Sequence, residues 1–393
     1  MPQVKPSKLI LPIIVIAQFC CTSLWFAGNG VINDLILNFN LEASALGHLT
    51  SAVQFGFITG TLIFAILTIA DRFSPSKVFL ISATLGALFN LGVIVDANNL
   101  VSLLLLRFFT GFFLAGIYPV GMKIAADYYD KGLGKSLGFL VGALVLGTAF
   151  PHLLKEITHL YPWRFVLIAT SFLALLGGIL MVFLVPDGPF RKPSQRTNLS
   201  AFFNVFRNRD FRSVAFGYFG HMWELYAFWT FVPLMLKKYA NEHHQTTFNI
   251  SLLSFLIIGI SGLACVFSGY ISQRTGTKKT AFIALLLSCL CCLISPLIFT
   301  SEFEGLFIGF LFFWGIVVIA DSPLFSTLVA QSASAEIKGT ALTIVNCIGF
   351  FITIISIQLI TRITAITVSN SIYTILAIGP IFGLIALRRK NNQ

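Results

Sequence analysis

The sequence predicts an all-α integral membrane protein with twelve transmembrane helices in two pseudo-symmetric halves of six. Three observations carry this. Hydrophobic residues fill 56% of the 393 positions and charged residues only 10%, where a soluble domain carries about a quarter charged. Apolar runs of roughly 18 to 25 residues, long enough to cross a hydrocarbon core of about 30 Å, recur along the whole chain. A short charged turn also occurs twice. Ala70-Asp71-Arg72-Phe73-Ser74-Pro75-Ser76-Lys77 returns as Ser272-Gln273-Arg274-Thr275-Gly276-Thr277-Lys278-Lys279, about half the chain further on and each time between the second and third runs of its half.

The first run, 9–33, is too long and too closely followed by others to be a cleaved signal peptide. It reads as the first helix and carries Trp25, Asn29 and Asn33. The second, 45–70, contains Gln54 and the spacing Gly56-x-x-x-Gly60, a helix-packing device, and ends in the first charged turn. The third is 78–95. The fourth, 100–128, holds Arg107 about seven residues in, roughly 10 Å deep at 1.5 Å per residue, with Gly111 and Ala115 on the same stripe. The fifth, 136–154, has Gly138, Gly142 and Gly147 before Pro151, and the sixth, 163–185, opens on Trp163-Arg164.

Pro186 to Asp210, rich in Pro, Arg and Ser, is the one sizeable polar connection. It divides the chain into an amino-terminal half, 1–186, a cytoplasmic linker, 187–210, and a carboxy-terminal half, 211–393. The second half repeats the pattern with runs at 211–236, 248–272, 280–300, 305–330, 339–361 and 367–387.

Lys and Arg, including Arg72, Lys77, Arg274, Lys278 and Lys279, gather on one side of these spans, whereas acids such as Asp34, Glu42, Asp96 and Glu302 fall on the other. The positive-inside rule then puts both termini in the cytoplasm, and the expected location of this multi-pass chain is the cell inner membrane. The net charge of +11 is a topology signal rather than a nucleic-acid footprint, because the basic residues are spread over separate short loops. All seven cysteines lie inside spans, an odd number with no metal-ligand spacing beside histidines. The adjacent pair His243 and His244 on an outer loop lacks further ligands. Neither a metal nor a cofactor is expected, and no nucleophile, base and orienting group fall at enzyme-like spacing.

Several motifs resemble those of the major facilitator superfamily, and the resemblance covers the full chain. Asp71-Arg72 with Lys77 is similar to the family's loop between helices two and three, and Gly269 to Gly276, with Arg274, to its second copy. The first copy has Leu67 and Ser74 where glycines are usual, and the second has Gln273 in place of the acid. Arg107-Phe108-Phe109-Thr110-Gly111 resembles the fourth-helix motif, Asp127-Tyr128-Tyr129 with Gly132 and Gly134 the loop after it, and Trp163-Arg164 the opening of the sixth helix. The fifth helix lacks the glycine-proline-glycine-glycine cluster typical of drug:proton antiporters. The resemblance implies a secondary transporter working by alternating access. It also implies a cytoplasmic gate of Asp71, Arg72, Lys77, Gln273, Arg274 and Lys278, in which only the first copy keeps a latching acid.

Charges stranded in apolar spans are costly unless they face water or a partner, so they mark the candidate substrate and coupling residues. Arg107 is one. In the seventh span His221 and Glu224 are three apart and share a helix face, with Trp223, Tyr226 and Trp229 around them. A buried carboxylate can load and release a proton as access alternates; the alternative is a fixed pair of Glu224 with His221 or Arg107. Ala320-Asp321-Ser322-Pro323 puts a second acid beside a helix-breaking proline, so Asp321 competes with Glu224 as the proton carrier. Trp25, Asn29 and Gln54 either bind solute or bond between helices, and Lys123 is expected to snorkel to the headgroups. These readings converge on a monomeric carrier, embedded in the lipid bilayer, that couples protons to import of a small organic anion. Proton-coupled efflux of an amphipathic compound and a non-transporting solute receptor are the alternatives.

Overall fold

A computed structural model describes residues 9–129, 133–191, 205–243, 248–333 and 338–388. Gly132, His244 and residues 192–204 of the expected linker lie outside the described residues. Every expected run is helical, and no strand occurs among the described residues. Among the described residues eight helical segments, two of them (Leu100–Tyr128 and Glu304–Ser332) broken inside, are long and apolar enough to cross a membrane, and the segments Ile10–Thr22 and Ile372–Arg388 are shorter apolar helices.

The first span is not one helix. It divides into α1 (Ile10–Thr22), α2 (Ala27–Gly30) and α3 (Ile32–Asn38). The second is α4 (Ala45–Ile66), closed by Thr68 with its φ at 49°, and followed by α5 (Ile69–Arg72). Pro75 then starts α6 (Pro75–Gly92), where its missing N–H costs nothing. The fourth span is α7 (Leu100–Leu114) and α8 (Tyr118–Tyr128). Asn99 opens α7 with a capping box: its Oδ1 accepts from the Ser102 N–H at 3.0 Å, and Ser102 Oγ accepts from the Asn99 N–H at 2.9 Å. The fifth and sixth spans are α9 (Leu133–Ile157) and α10 (Arg164–Leu184).

The seventh span is α11 (Arg209–Glu242), capped by Asn208 and unbroken through Pro233. Then follow α12 (Ile250–Thr275), α13 (Thr277–Phe299), α14 (Glu304–Ala320), α15 (Ser322–Ser332) and α16 (Lys338–Ile366). A 3₁₀ turn (Ile372–Ala377) leads into α17 (Ile378–Arg388). The fourth and tenth spans break at equivalent places. Pro119 lies in the first turn of α8 and Pro323 in the first turn of α15, so each proline restarts a helix instead of continuing one.

Two compact units result. One comprises 1–41 with 52–197, the other 42–51 with 198–393. In the first, α1 packs on α9 and α10, and α6 on α7 and α10. Glycine lets α4 and α7 meet backbone to backbone. A Cβ on Gly56 would lie 1.9 Å from the Phe108 carbonyl oxygen, and one on Gly111 would lie 2.0 Å from that of Val53. Lipid tails are as apolar as the side chains, so close packing of this kind replaces the hydrophobic drive of a soluble core. In the second unit α11 packs on α16 and α17, and α14 on α12 and α13.

Candidate functional site

Glu224 is fully buried near the middle of α11, and three donors from two other helices converge on it. Trp314 of α14 donates its indole N–H to Oε1 at 2.6 Å, and the Cys292 thiol of α13 reaches the same oxygen at 3.2 Å. Ser288, one turn away on α13, donates to Oε2 at 2.9 Å. An ionised carboxylate only accepts hydrogen bonds, and this shell consists of donors. Ser288 Oγ also lies 3.1 Å from the Leu285 carbonyl, so the hydroxyl has a second acceptor toward which its proton can turn.

One turn back on α11, the His221 Nδ1 lies 2.7 Å from Asp321 Oδ1, and both side chains are 1% exposed. The α14–α15 break creates this position. Pro323 has no N–H to offer the Ile319 carbonyl, which instead accepts from the Asp321 N–H and lies 3.8 Å from the Cys265 thiol. His221 Nε2 meets no protein partner, and the rings of Tyr218 and Phe325 flank the imidazole at 6.0 Å. The alternative of a fixed Glu224–His221 pair is therefore not what forms. His221 and Glu224 share α11, but each reaches a different neighbour, because Trp314 and Asp321 stand one on either side of the α14 end.

In the other unit, Arg107 is 1% exposed. Its Nη2 donates to the carbonyls of Leu24 (3.1 Å) and Trp25 (2.6 Å), and Nη1 donates to Asn90 Oδ1 at 3.0 Å. Asn90 in turn donates to the Ser171 hydroxyl, the Thr170 hydroxyl and the Leu167 carbonyl. The guanidinium thus satisfies carbonyls released where the first span breaks, at the negative end of the α1 dipole. Among the described residues no carboxylate forms an ion pair with it. Burial without an acid leaves a full positive charge balanced only by dipoles.

Trp25 and Asn29 are buried at this same break, Trp25 with its ring 4.8 Å from Phe57. Tyr226 is buried against Trp229 and Phe350, and Trp223 donates to the Ile375 carbonyl. No group of three or more metal-binding side chains occurs among the described residues.

The two charged turns differ in their surroundings. Asp71 pairs with Lys123 at 2.8 Å, and Lys123 also lies 3.8 Å from Asp127; the lysine expected to snorkel is held by acids of its own unit. Arg191 Nη2 donates to the carbonyls of Asp71 and Phe73, its Nη1 reaches Asp187 at 2.5 Å, and Ser74 donates to Asp187 at 2.7 Å. The start of the linker is thereby stitched to the first turn. Arg72, Lys77, Gln273 and Arg274 are exposed, Lys278 half-buried, and Gly276 adopts a φ of 90°.

Sequence reasoning missed Asn90, Ser288, Cys292, Trp314, Asp187 and Arg191. Asn90 stands out as a lone amide in an apolar run, and Ser288 and Cys292 are four apart on one helix face. Trp314 lies in a run of Phe and Leu and carries no such signal.

The chain belongs to the Major Facilitator Superfamily, whose model matches residues 14–357. The sialic acid transporter NanX of Escherichia coli K12 is 25% identical over 229 residues, 55% of this chain and 53% of that protein. The 4-hydroxybenzoate transporter PcaK of Pseudomonas aeruginosa is 26% identical over 163 residues, 39% and 34% of the respective chains. The matches thus span about half or less of these curated relatives. The nucleoside transporter NupG has the same fold, with a TM-score of 0.74 at 15% identity over 97% of this chain and 98% of its own. So does the proton:xylose symporter XylE, with a TM-score of 0.74 at 14% identity over 96% and 94%. The family and these relatives are transporters, not enzymes.

Proposed function

We propose that this chain is a proton-coupled importer of a small organic anion, working by alternating access as a monomer in the cell inner membrane with both termini cytoplasmic. The halves 1–186 and 211–393 would be joined by the linker 187–210. The observation that carries the reading is Arg107, a buried guanidinium that forms no ion pair with a carboxylate among the described residues. A charge held this way attracts an anion, and Arg107 offers its remaining Nε–H as a donor. Two relatives named for carboxylic acids, sialic acid and 4-hydroxybenzoate, support the anion.

Proton coupling is supported by the two buried acids of the second unit. Glu224, whose Ser288 partner can serve either protonation state, and Asp321, paired with His221, are the carriers of choice. Trp25, Asn29 and Tyr226 are assigned to solute binding, and Asp71, Arg72, Lys77, Gln273, Arg274 and Lys278 to the cytoplasmic gate.

Counterflow into proteoliposomes, screened over small carboxylates, tests the anion. Arg107→Lys should retain part of the exchange as a point charge, and Arg107→Ala should lose it, by about 2 to 5 kcal/mol of binding. A neutral solute exchanged equally by the wild type and Arg107→Ala, with no carboxylate exchanged, contradicts the reading.

A further inference from the structure

The buried polar groups with no hydrogen-bond partner in the amino-terminal unit include the Gln54 carboxamide, the Thr148 hydroxyl, His152 Nε2 and Arg107 Nε. These residues are 0%, 0%, 3% and 1% exposed. Each of them, or a residue within one turn of it, packs against residues 22–30. Phe57, one turn from Gln54, has its ring against Trp25. Gly147, next to Thr148, approaches Thr22 so closely that a Cβ would lie 2.1 Å from its hydroxyl. Pro151, next to His152, lies 3.0 Å from the Cβ position of Gly30, and Arg107 Nε lies 3.4 Å from that of Gly28. Residues 22–30 are the break of the first span, so α4, α7 and α9 each bring an unsatisfied group to that break. Thr148 and His152, four apart, lie one above the other on α9.

A buried amide or imidazole that binds helices together does so by bonding to one, and the Gln54 carboxamide, the Thr148 hydroxyl and His152 Nε2 do not. Leaving such groups unpaired is expensive, and an apolar side chain of equal size would avoid the cost. Their inventory is chemically specific. Gln54 and Thr148 both donate and accept, and His152 Nε2 does one or the other according to tautomer. Hydroxyl groups match all three. Gln18, also buried and unpaired, belongs elsewhere, seven residues before Trp25 and against Gly121.

We propose that the solute is a hydroxylated organic acid whose hydroxyl groups are bound by Gln54, Thr148 and His152 and whose carboxylate pairs with Arg107. The carboxylate part rests on the anion reading above; the hydroxyl part stands on the neutral side chains alone. A plain apolar acid would bury these groups unpaired, the situation in which a site rejects an analogue most strongly.

Three six-carbon probes separate the two parts: D-gluconate, with a carboxylate and hydroxyls; hexanoate, with the carboxylate only; and D-sorbitol, with hydroxyls only. Each is titrated against the melting temperature of the purified full-length protein, since a ligand stabilises the state it binds. Gluconate should act at a concentration about 100-fold or more below hexanoate. Gln54→Met and His152→Leu should shrink that ratio about tenfold, while raising the melting temperature of the solute-free protein, which a purely structural role for these side chains would lower. Hexanoate acting as well as gluconate overturns the hydroxyl proposal and leaves the anion reading standing. Sorbitol matching gluconate overturns the anion reading and supports the hydroxyl part. Stabilisation by neither gluconate nor sorbitol overturns the proposal outright.

Discussion

The Trp314 indole N–H points at the Glu224 carboxylate from 2.6 Å, across 90 residues of sequence. Because an indole nitrogen is only a donor, this contact favours an accepting oxygen and makes Trp314 a positioning residue for the acid. Trp314→Phe keeps most of the ring and removes the donor. A hydrogen bond to a charged group contributes about 1.5 to 3 kcal/mol, so the pH profile of solute exchange should be displaced. Trp314 fluorescence in the parent protein should follow the same titration. An unchanged profile would mean that the contact does not bear on proton binding.

His221 and Asp321 form a buried pair at 2.7 Å. Removing one partner leaves the other stranded, a loss of about 3 to 5 kcal/mol, whereas replacing both with apolar residues of similar size is much milder. His221→Phe alone should lower thermal stability more than His221→Phe combined with Asp321→Leu. Additive losses in that cycle would contradict a coupled pair.

Asp71 and Lys123 are each about a quarter exposed, and exposed pairs are worth about 0 to 1 kcal/mol. The double-mutant cycle of Asp71→Asn and Lys123→Met should give a coupling in that range, so an effect of Asp71→Asn on transport can be read apart from stability. If Asp71 is the latching acid, Asp71→Asn should change the reactivity of engineered cysteines near Arg72, and Gln273→Ala should not. Equal effects from the two substitutions would remove the asymmetry of the gate.

Gly56 and Gly111 sit where a methyl group would meet backbone oxygen at 1.9 and 2.0 Å, whereas Gly269 has nothing within 4 Å. Gly56→Ala and Gly111→Ala should each cost about 1 to 3 kcal/mol by overpacking. Gly269→Ala, inside a helix, should be neutral or stabilising by up to about 1 kcal/mol. Melting temperatures in detergent distinguish the three, and equal losses would show that the family-like glycine of the second turn has a packing role of its own.

Apolar length and the repeated turn made the helices legible, since crossing a bilayer constrains both. Arg107, Glu224 and Asp321 were legible for a related reason: a charge in such a run needs justification. Their partners were not. Trp314, Ser288 and Cys292 are ordinary residues of apolar helices, 64 to 90 positions from Glu224, and periodicity within one helix does not say which helix it faces. The break after Thr22 was hidden likewise. No proline marks it, and the side chain that takes up its free carbonyls, Arg107, comes 82 residues later. Pro323 announced the tenth-span break because its cause is local.

On the proposed function, a buried acid of the second unit carries a proton with each solute. Proteoliposomes containing a pH-sensitive dye, given an exchangeable carboxylate without an imposed gradient, measure this directly. Wild-type protein should acidify the lumen as solute enters. Either Glu224→Gln or Asp321→Asn should abolish that proton movement while preserving counterflow exchange, and the one that does so identifies the carrier. Solute entry with no proton movement in the wild type, or undiminished proton movement in both variants, would contradict the account.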